Sequence, residues 1–256
     1  MRTIRMDEMT WPEIGDAIAR GFTTVVVGVG STEQHGPHLP TMTDTRIADE
    51  LAHRVARRLG RALQARTIPV GVSEHHLAFG GTISLGRETL RAILRDYVDS
   101  LAACGFERIV LLPSHGGNFA TVQEVIDEAP AAHPDLVVTG YADLLGFSTF
   151  LAQASGRFGI AADAAGAHAG ENETSIMLAL EPELVRRDRF AAGYLGPLGE
   201  DQVKVILERG MTALTANGVL GDPAGASAKQ GEIYLELCAE HLVSELGRVS
   251  PPAARG

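Results

Sequence analysis

The chain has 256 residues, 45% of them apolar, with a formal net charge of -10 and only two cysteines. This length suits one large α/β domain with a sizeable buried core, and an acidic chain without a basic stripe excludes a binder that neutralises nucleic-acid phosphates. Cys104 and Cys238 each fall inside an apolar helical pattern, so a disulfide scaffold is excluded and both read as small buried hydrophobes of a cytosolic protein.

In chain order, Thr10-Trp11-Pro12-Glu13 has the form of a capping box with proline in the first turn, which predicts a helix to about Arg20. The β-branched run over 23–29 predicts a buried strand. A helix over 45–59 stopped by Gly60, a strand over 67–72 and a helix over 88–104 stopped by Gly105 follow. Next come a strand over 108–113, a helix over 118–129 and a strand over 136–141. The last third reads as mainly helical, over 173–180, 200–214 and 226–246. The alternation predicts an α/β fold in which helices cover both faces of a mainly parallel sheet. No linker or repeat divides the chain, so a single domain over 1–250 with a flexible tail over 251–256 is expected. Residues 1–10 lack an apolar centre and no stretch reaches membrane-spanning length, which points to the cytoplasm and to no membrane partner.

Ionisable residues gather just past the predicted strands, where open α/β sheets place their ligands. After the first strand, Glu33 and His35 are two residues apart and project to one side of an extended backbone. Gly36 and Pro37 turn the chain, and Asp44 can return to the same point as the next helix begins. Two carboxylates and a neutral imidazole suit a borderline divalent ion such as zinc, manganese or iron. A polar loop that satisfies turn amides and caps a helix accounts for this segment alone equally well. Two later clusters favour the metal. Ser114-His115-Gly116-Gly117-Asn118 puts a histidine at the end of another strand, and His168-Ala169-Gly170-Glu171-Asn172-Glu173 opens an apolar helix.

Glu74-His75-His76 follows the predicted strand over 67–72; adjacent strand residues face opposite ways, so at most one histidine should reach a pocket, and an exposed polar turn or a subunit contact is the expectation. Arg46 either meets an anionic substrate or is solvated or ion-paired. Arg54, Arg57, Arg58 and Arg61 should form a solvated or interfacial helix face. A dinucleotide fingerprint starting at Gly28 would place its third glycine on Glu33, and no Gly-x-Ser-x-Gly elbow exists.

The string Gly30-Ser31-Thr32-Glu33-Gln34-His35-Gly36-Pro37-His38-Leu39-Pro40, the Ser114–Asn118 turn and the Glu173-Thr174-Ser175 helix start resemble the creatininase (creatinine amidohydrolase) family. Gly81-Thr82-Ile83-Ser84-Leu85 and Gly218-Val219-Leu220-Gly221-Asp222-Pro223 extend the match over nearly the whole chain. The resemblance implies a three-layer α/β/α domain, a homohexamer, and two divalent ions (Zn, Mn or Fe) that hydrolyse a non-peptide or unusual C-N bond in a small-molecule amide, lactam or formamide. It implies Glu33, Asp44 and His115 around one ion, with Asp44 bridging to a second held also by His35.

Creatinine-hydrolysing members add a glutamate to the second ion where this chain has Gly117, so Glu173 is expected to replace it, with Glu171 as the fallback. Ions so held would bring a bridging water from a pKa of about 16 toward neutrality. His168, not needed to balance charge, is then the natural proton shuttle to the leaving nitrogen, the alternative being a structural histidine bonded to carbonyls. Those members also enclose a flat ring with tryptophans, whereas this chain has only Trp11 and a small-residue stretch over 161–167, so creatinine itself is not the expected substrate. Other branches trim a redox-cofactor precursor peptide, and a non-catalytic scaffold is the remaining rival.

Overall fold

A computed structural model describes residues 1–248; the tail expected over 251–256 lies outside the described residues. Four parallel strands form the sheet: β1 (Thr24–Val29), β2 (Ala62–Gln64), β3 (Arg108–Pro113) and β4 (Val137–Gly140), in the order β2-β1-β3-β4. Strands β1 and β3 pair along their full length, so Val29 lies opposite Pro113. The chain therefore leaves both strands at the same point on the sheet edge. Glu33 and His115 follow from there.

The alternation of buried side chains in β1 and β3 splits the core into two. Val26, Val110 and Leu112 face α2 (Thr43–Leu59), α7 (Glu171–Leu180) and α9 (Ala228–Arg248). Val25, Val27, Val29, Ile109 and Leu111 face α1 (Trp11–Ala19), α3 (Arg87–Ala103) and α4 (Phe119–Ala132). Strands apolar on both faces need a helical layer on each side, which gives the three expected layers. The Glu13 carboxylate starts α1 by accepting from the Thr10 N–H at 2.7 Å. Helix α2 ends at Gly60, whose φ of 64° suits a residue without Cβ.

The strand expected over 67–72 is instead the three-residue β2 upstream of it. Ile68 makes one parallel bridge to Val29, but Pro69 has no N–H to continue the ladder. Helix α8 (Glu200–Arg209) stops short of Leu214 because Gly210 turns left-handed with φ 80°. Helices α5 (Leu144–Gly156) and α6 (Ala162–Ala165) are additions to the expected elements. The apolar residues of α5 are not confined to one face, although Asp143 caps it by accepting from the Gly146 N–H at 2.8 Å. Cys238 is buried, but Cys104 is exposed at the end of α3, contrary to its reading as a core residue. No helix among the described residues is long and apolar enough to cross a membrane.

Arg46, Arg54 and Arg58 of α2 pair with acidic groups. Arg54 reaches Glu50 on α2 and Glu232 on α9 at 2.9 and 2.8 Å. Arg46 is held by Glu50 at 3.1 Å and Glu181 at 2.8 Å, so it is ion-paired.

Candidate metal centre

Glu33, His35, Asp44 and His115 converge at the ends of β1 and β3, each no more than 3% exposed. Asp44 sits in the first turn of α2, with Oδ1 3.3 Å from His35 Nε2 and Oδ2 3.4 Å from His115 Nδ1. The Oε2 of Glu33 lies 3.1 Å from the same His115 nitrogen. Glu173, in the first turn of α7, points back to place Oε2 3.8 Å from His35 Nε2. Ala169 supports that carboxylate: its backbone turns left-handed at φ 53°, and its N–H donates to Glu173 Oε2 at 2.6 Å.

Glu171 faces the other way. It is fully buried and accepts from Ser175 and Ser155 at 2.8 and 3.1 Å and from the Tyr234 hydroxyl at 2.9 Å. Two residues along a helix differ by about 200° in direction, so only Glu173 reaches the centre. The fold thus brings Glu173, and not the fallback Glu171, beside His35.

Backbone carbonyls orient two of the imidazoles. Val72 O lies 2.8 Å from His115 Nε2 and Glu33 O lies 3.2 Å from His35 Nδ1. A carbonyl only accepts, so those nitrogens carry a proton, and in the neutral rings His115 Nδ1 and His35 Nε2 are the atoms left to a ligand among the carboxylates. Glu33 Oε1, His35 Nε2 and Asp44 Oδ2 are buried without any hydrogen-bond partner. Their residues form one of three groups, among the described residues, whose potential ligand atoms lie within 4.8 Å of one another. Orphaned buried acceptors are costly. A divalent cation is the partner that this set of nitrogen and oxygen donors fits.

The charges around the imidazoles act in the same sense. Burial opposes a charge on His35, yet Asp44 and Glu173 hold its imidazole up at about 10. Burial likewise opposes protonation of His115, and Glu33 and Asp44 outweigh it, so its value is also raised. Burial, reinforced by Asp44, lifts the Glu173 carboxyl to about 7 despite His35. The carboxylates thus draw positive charge into a buried site.

His168 and His76 stand beside Glu33, with His168 Nδ1 and His76 Nε2 at 3.6 and 3.5 Å from Oε1. Burial and the neighbouring His35 push His168 well below its ordinary value. His75 and His76 overturn the expectation of an exposed turn. The segment Glu74–His76 is a 3-10 turn, not the end of a strand, so the two rings splay by about 120° and both line the cavity. His76 is 3% exposed, and His75 stacks on His115 with centroids 5.5 Å apart. Sequence reasoning also passed over Gln34, whose only signal was its place between Glu33 and His35.

The centre opens into a cavity of about 400 Å³. Its outer walls are aliphatic, from Leu144, Leu145 and Leu151 on α5, Val203 and Ile206 on α8, and Met211; Phe119 and Phe147 are the aromatic rings other than histidine. A second cleft of about 490 Å³ shares Gly166, Ala167 and Leu198 with it and is also lined by Tyr194 and Pro197.

The family described as "Creatininase: Creatinine amidohydrolase" matches residues 7–246. A mycofactocin precursor peptide peptidase of Mycobacterium ulcerans is 37% identical over 94% of this chain and 87% of its own. A creatinine amidohydrolase of Pseudomonas putida is 29% identical over 98% of this chain and 99% of its own. A solved creatininase structure shares the fold with a TM-score of 0.81 at 28% identity, covering 99% of this chain and 100% of that one. Solved creatininases include a Zn-Zn type, a manganese form and a complex with creatine. The chain, with this fold and this match over nearly its whole length, belongs to the creatininase family of hydrolases.

Proposed function

We propose that this protein is a metal-dependent amide hydrolase that trims a precursor peptide by cleaving a C-N bond. The observation that carries this reading is the convergence of buried, unpartnered donors in a cavity with aliphatic walls. The 37% identity to a mycofactocin precursor peptide peptidase supports a peptide over a small heterocycle. So does the position of Trp11, which is 85% exposed on α1 and outside the cavity walls, so no indole encloses a flat ring. The expectation of a small-molecule lactam or formamide therefore ranks second to a peptide substrate.

Glu33, Asp44 and His115 would hold one ion, and His35, Asp44 and Glu173 a second. Bound divalent ions supply a water acidified toward neutrality and a polarised carbonyl. His168 supplies the proton path. Its Nε2 is 2.8 Å from the Gln34 carbonyl, which keeps the proton there and leaves Nδ1 free to face the cavity. With its value depressed, Nδ1 starts unprotonated, takes a proton from the attacking water and delivers it to the amide nitrogen as the C-N bond breaks.

Zinc- or manganese-loaded protein should release a fragment from a mycofactocin-type precursor peptide, seen by mass spectrometry, and a chelator should abolish the release. Hydrolysis of creatinine, lactams or formamides with an intact peptide would overturn the peptide reading. Within this mechanism, His168→Ala should lower kcat by about 100- to 10,000-fold with metal content unchanged by elemental analysis. Loss of metal from that variant would reassign His168 as a ligand.

A further inference from the structure

Gln34 lies between two residues of the candidate centre, yet its side chain turns away from them and is 6% exposed. Two backbone groups fix which way round its amide sits. The Gly36 N–H can only donate, so the atom 2.9 Å from it is Oε1; the Gly218 carbonyl can only accept, so the atom 3.3 Å from it is Nε2. Gly218 is shaped for this contact, with a left-handed φ of 78° and no room for a Cβ, which would fall 2.1 Å from Gln34 Oε1.

The remaining proton on Nε2 points to His76 Nδ1 at 3.0 Å. An amide nitrogen cannot accept, so His76 Nδ1 is the acceptor and the ring proton sits on Nε2, facing the cavity and Glu33 Oε1. The backbone of the same residue does the reverse to His168, whose Nε2 donates to Gln34 O at 2.8 Å. His168 Nε2 also lies 3.1 Å from Gln34 Nε2, but both nitrogens carry hydrogen and the shorter contact to the carbonyl decides the tautomer.

We propose that Gln34 is a positioning residue that sets His76 and His168 in opposite tautomers. Beside Glu33 Oε1 the cavity then receives an N–H donor from His76 and a lone pair from His168. One ring is ready to take a proton and the other to hold a developing negative charge on the substrate carbonyl oxygen. This division of labour deepens the amide-hydrolase reading and rests on it. It also gives the Gly218–Asp222 turn a role, since that turn supplies the carbonyl that orients Gln34, and Leu220 pairs with His168 through the backbone.

The test uses the zinc-loaded protein, whose ring nitrogens can be assigned by 15N–1H correlation without any substrate. Wild type should show His76 protonated at Nε2. Gln34→Glu offers His76 Nδ1 an acceptor where the donor was, so the proton should move to Nδ1, with metal content and overall fold retained. Loss of one preorganised donor should cost about 100-fold in kcat, with KM changed less than about threefold. His76→Gln, which keeps an N–H near the same point, should retain far more activity than His76→Leu.

A wild-type His76 protonated at Nδ1, a tautomer unmoved in Gln34→Glu, or equal losses in His76→Gln and His76→Leu would overturn the proposal. Should Gln34→Glu fail to fold, the wild-type spectrum and the His76 pair decide it alone. If the wild-type enzyme cleaves no amide, the functional reading falls on its own, and the tautomers still report on Gln34.

Discussion

Replacing Asp44 by alanine should empty the centre of metal and lower turnover by about a thousandfold or more, because several kcal/mol of transition-state stabilisation leave with the ions. Asp44 is the one carboxylate within 3.5 Å of both oriented imidazoles, His35 on one side and His115 on the other. Its own acidity marks the same position: burial would raise its pKa, but His35 and His115 together hold it well below the usual carboxylate range. Glu33 contacts His115 and not His35 among these donors, so Glu33→Ala should weaken one ion more than the other. Elemental analysis of both variants beside wild type checks the difference. Full occupancy in Asp44→Ala would remove the aspartate from the centre.

The second large effect concerns Gly117. Putting a glutamate there, where creatinine-hydrolysing relatives are expected to carry one, should not restore a ligand. A Cβ at Gly117 would lie 2.0 Å from the Val72 carbonyl oxygen and 2.7 Å from His115 Nε2. Val72 O is the acceptor that orients His115, and the neighbouring obstacle is backbone, which cannot swing aside as a long side chain can. We expect Gly117→Glu to lose metal and to be destabilised by about 1–3 kcal/mol, the usual cost of overpacking. Gly117→Ala should already show part of both effects. Chemical denaturation and metal content measure them. A Gly117→Glu protein that is stable and binds metal more tightly would show that Val72 can yield, and that Glu173 is dispensable.

In the proposed centre Glu173 would stand in for the carboxylate expected at residue 117 in creatinine-hydrolysing relatives, on an unchanged fold. In this chain the segment after His115 packs against the His75–His76 turn, with His75 stacked over His115, so no side chain can grow from residue 117. The carboxylate that faces His35 from across the site is instead Glu173, at the start of α7. The left-handed Ala169 that lets its N–H meet Glu173 is a strained conformation for a residue with Cβ, which ties that segment to the centre.

What could be read from the sequence was what neighbours along the chain decide. The β-branched run of β1, the capping box at Thr10 and the glycine stop after α2 are encoded within a few residues, and each forms where expected. The spacing of Glu33, His35 and Asp44 around the Gly36-Pro37 turn was also local, so their meeting was legible, and His115 joined them because β1 and β3 are parallel neighbours in register. Contacts between distant segments were not legible. Helical spacing could say that Glu171 and Glu173 face different ways, but only the packing of α7 on α9 shows that Tyr234 takes Glu171 and leaves Glu173 to the centre. Whether His75 and His76 lay on a strand or in a tight turn depended on where the sheet ends at Pro69, and the role of Gln34 depended on the distant Gly218 carbonyl. Local periodicity and capping act through bonds a few residues apart, whereas the direction of a buried polar side chain is set by whichever far-off donor or acceptor the completed fold brings to it.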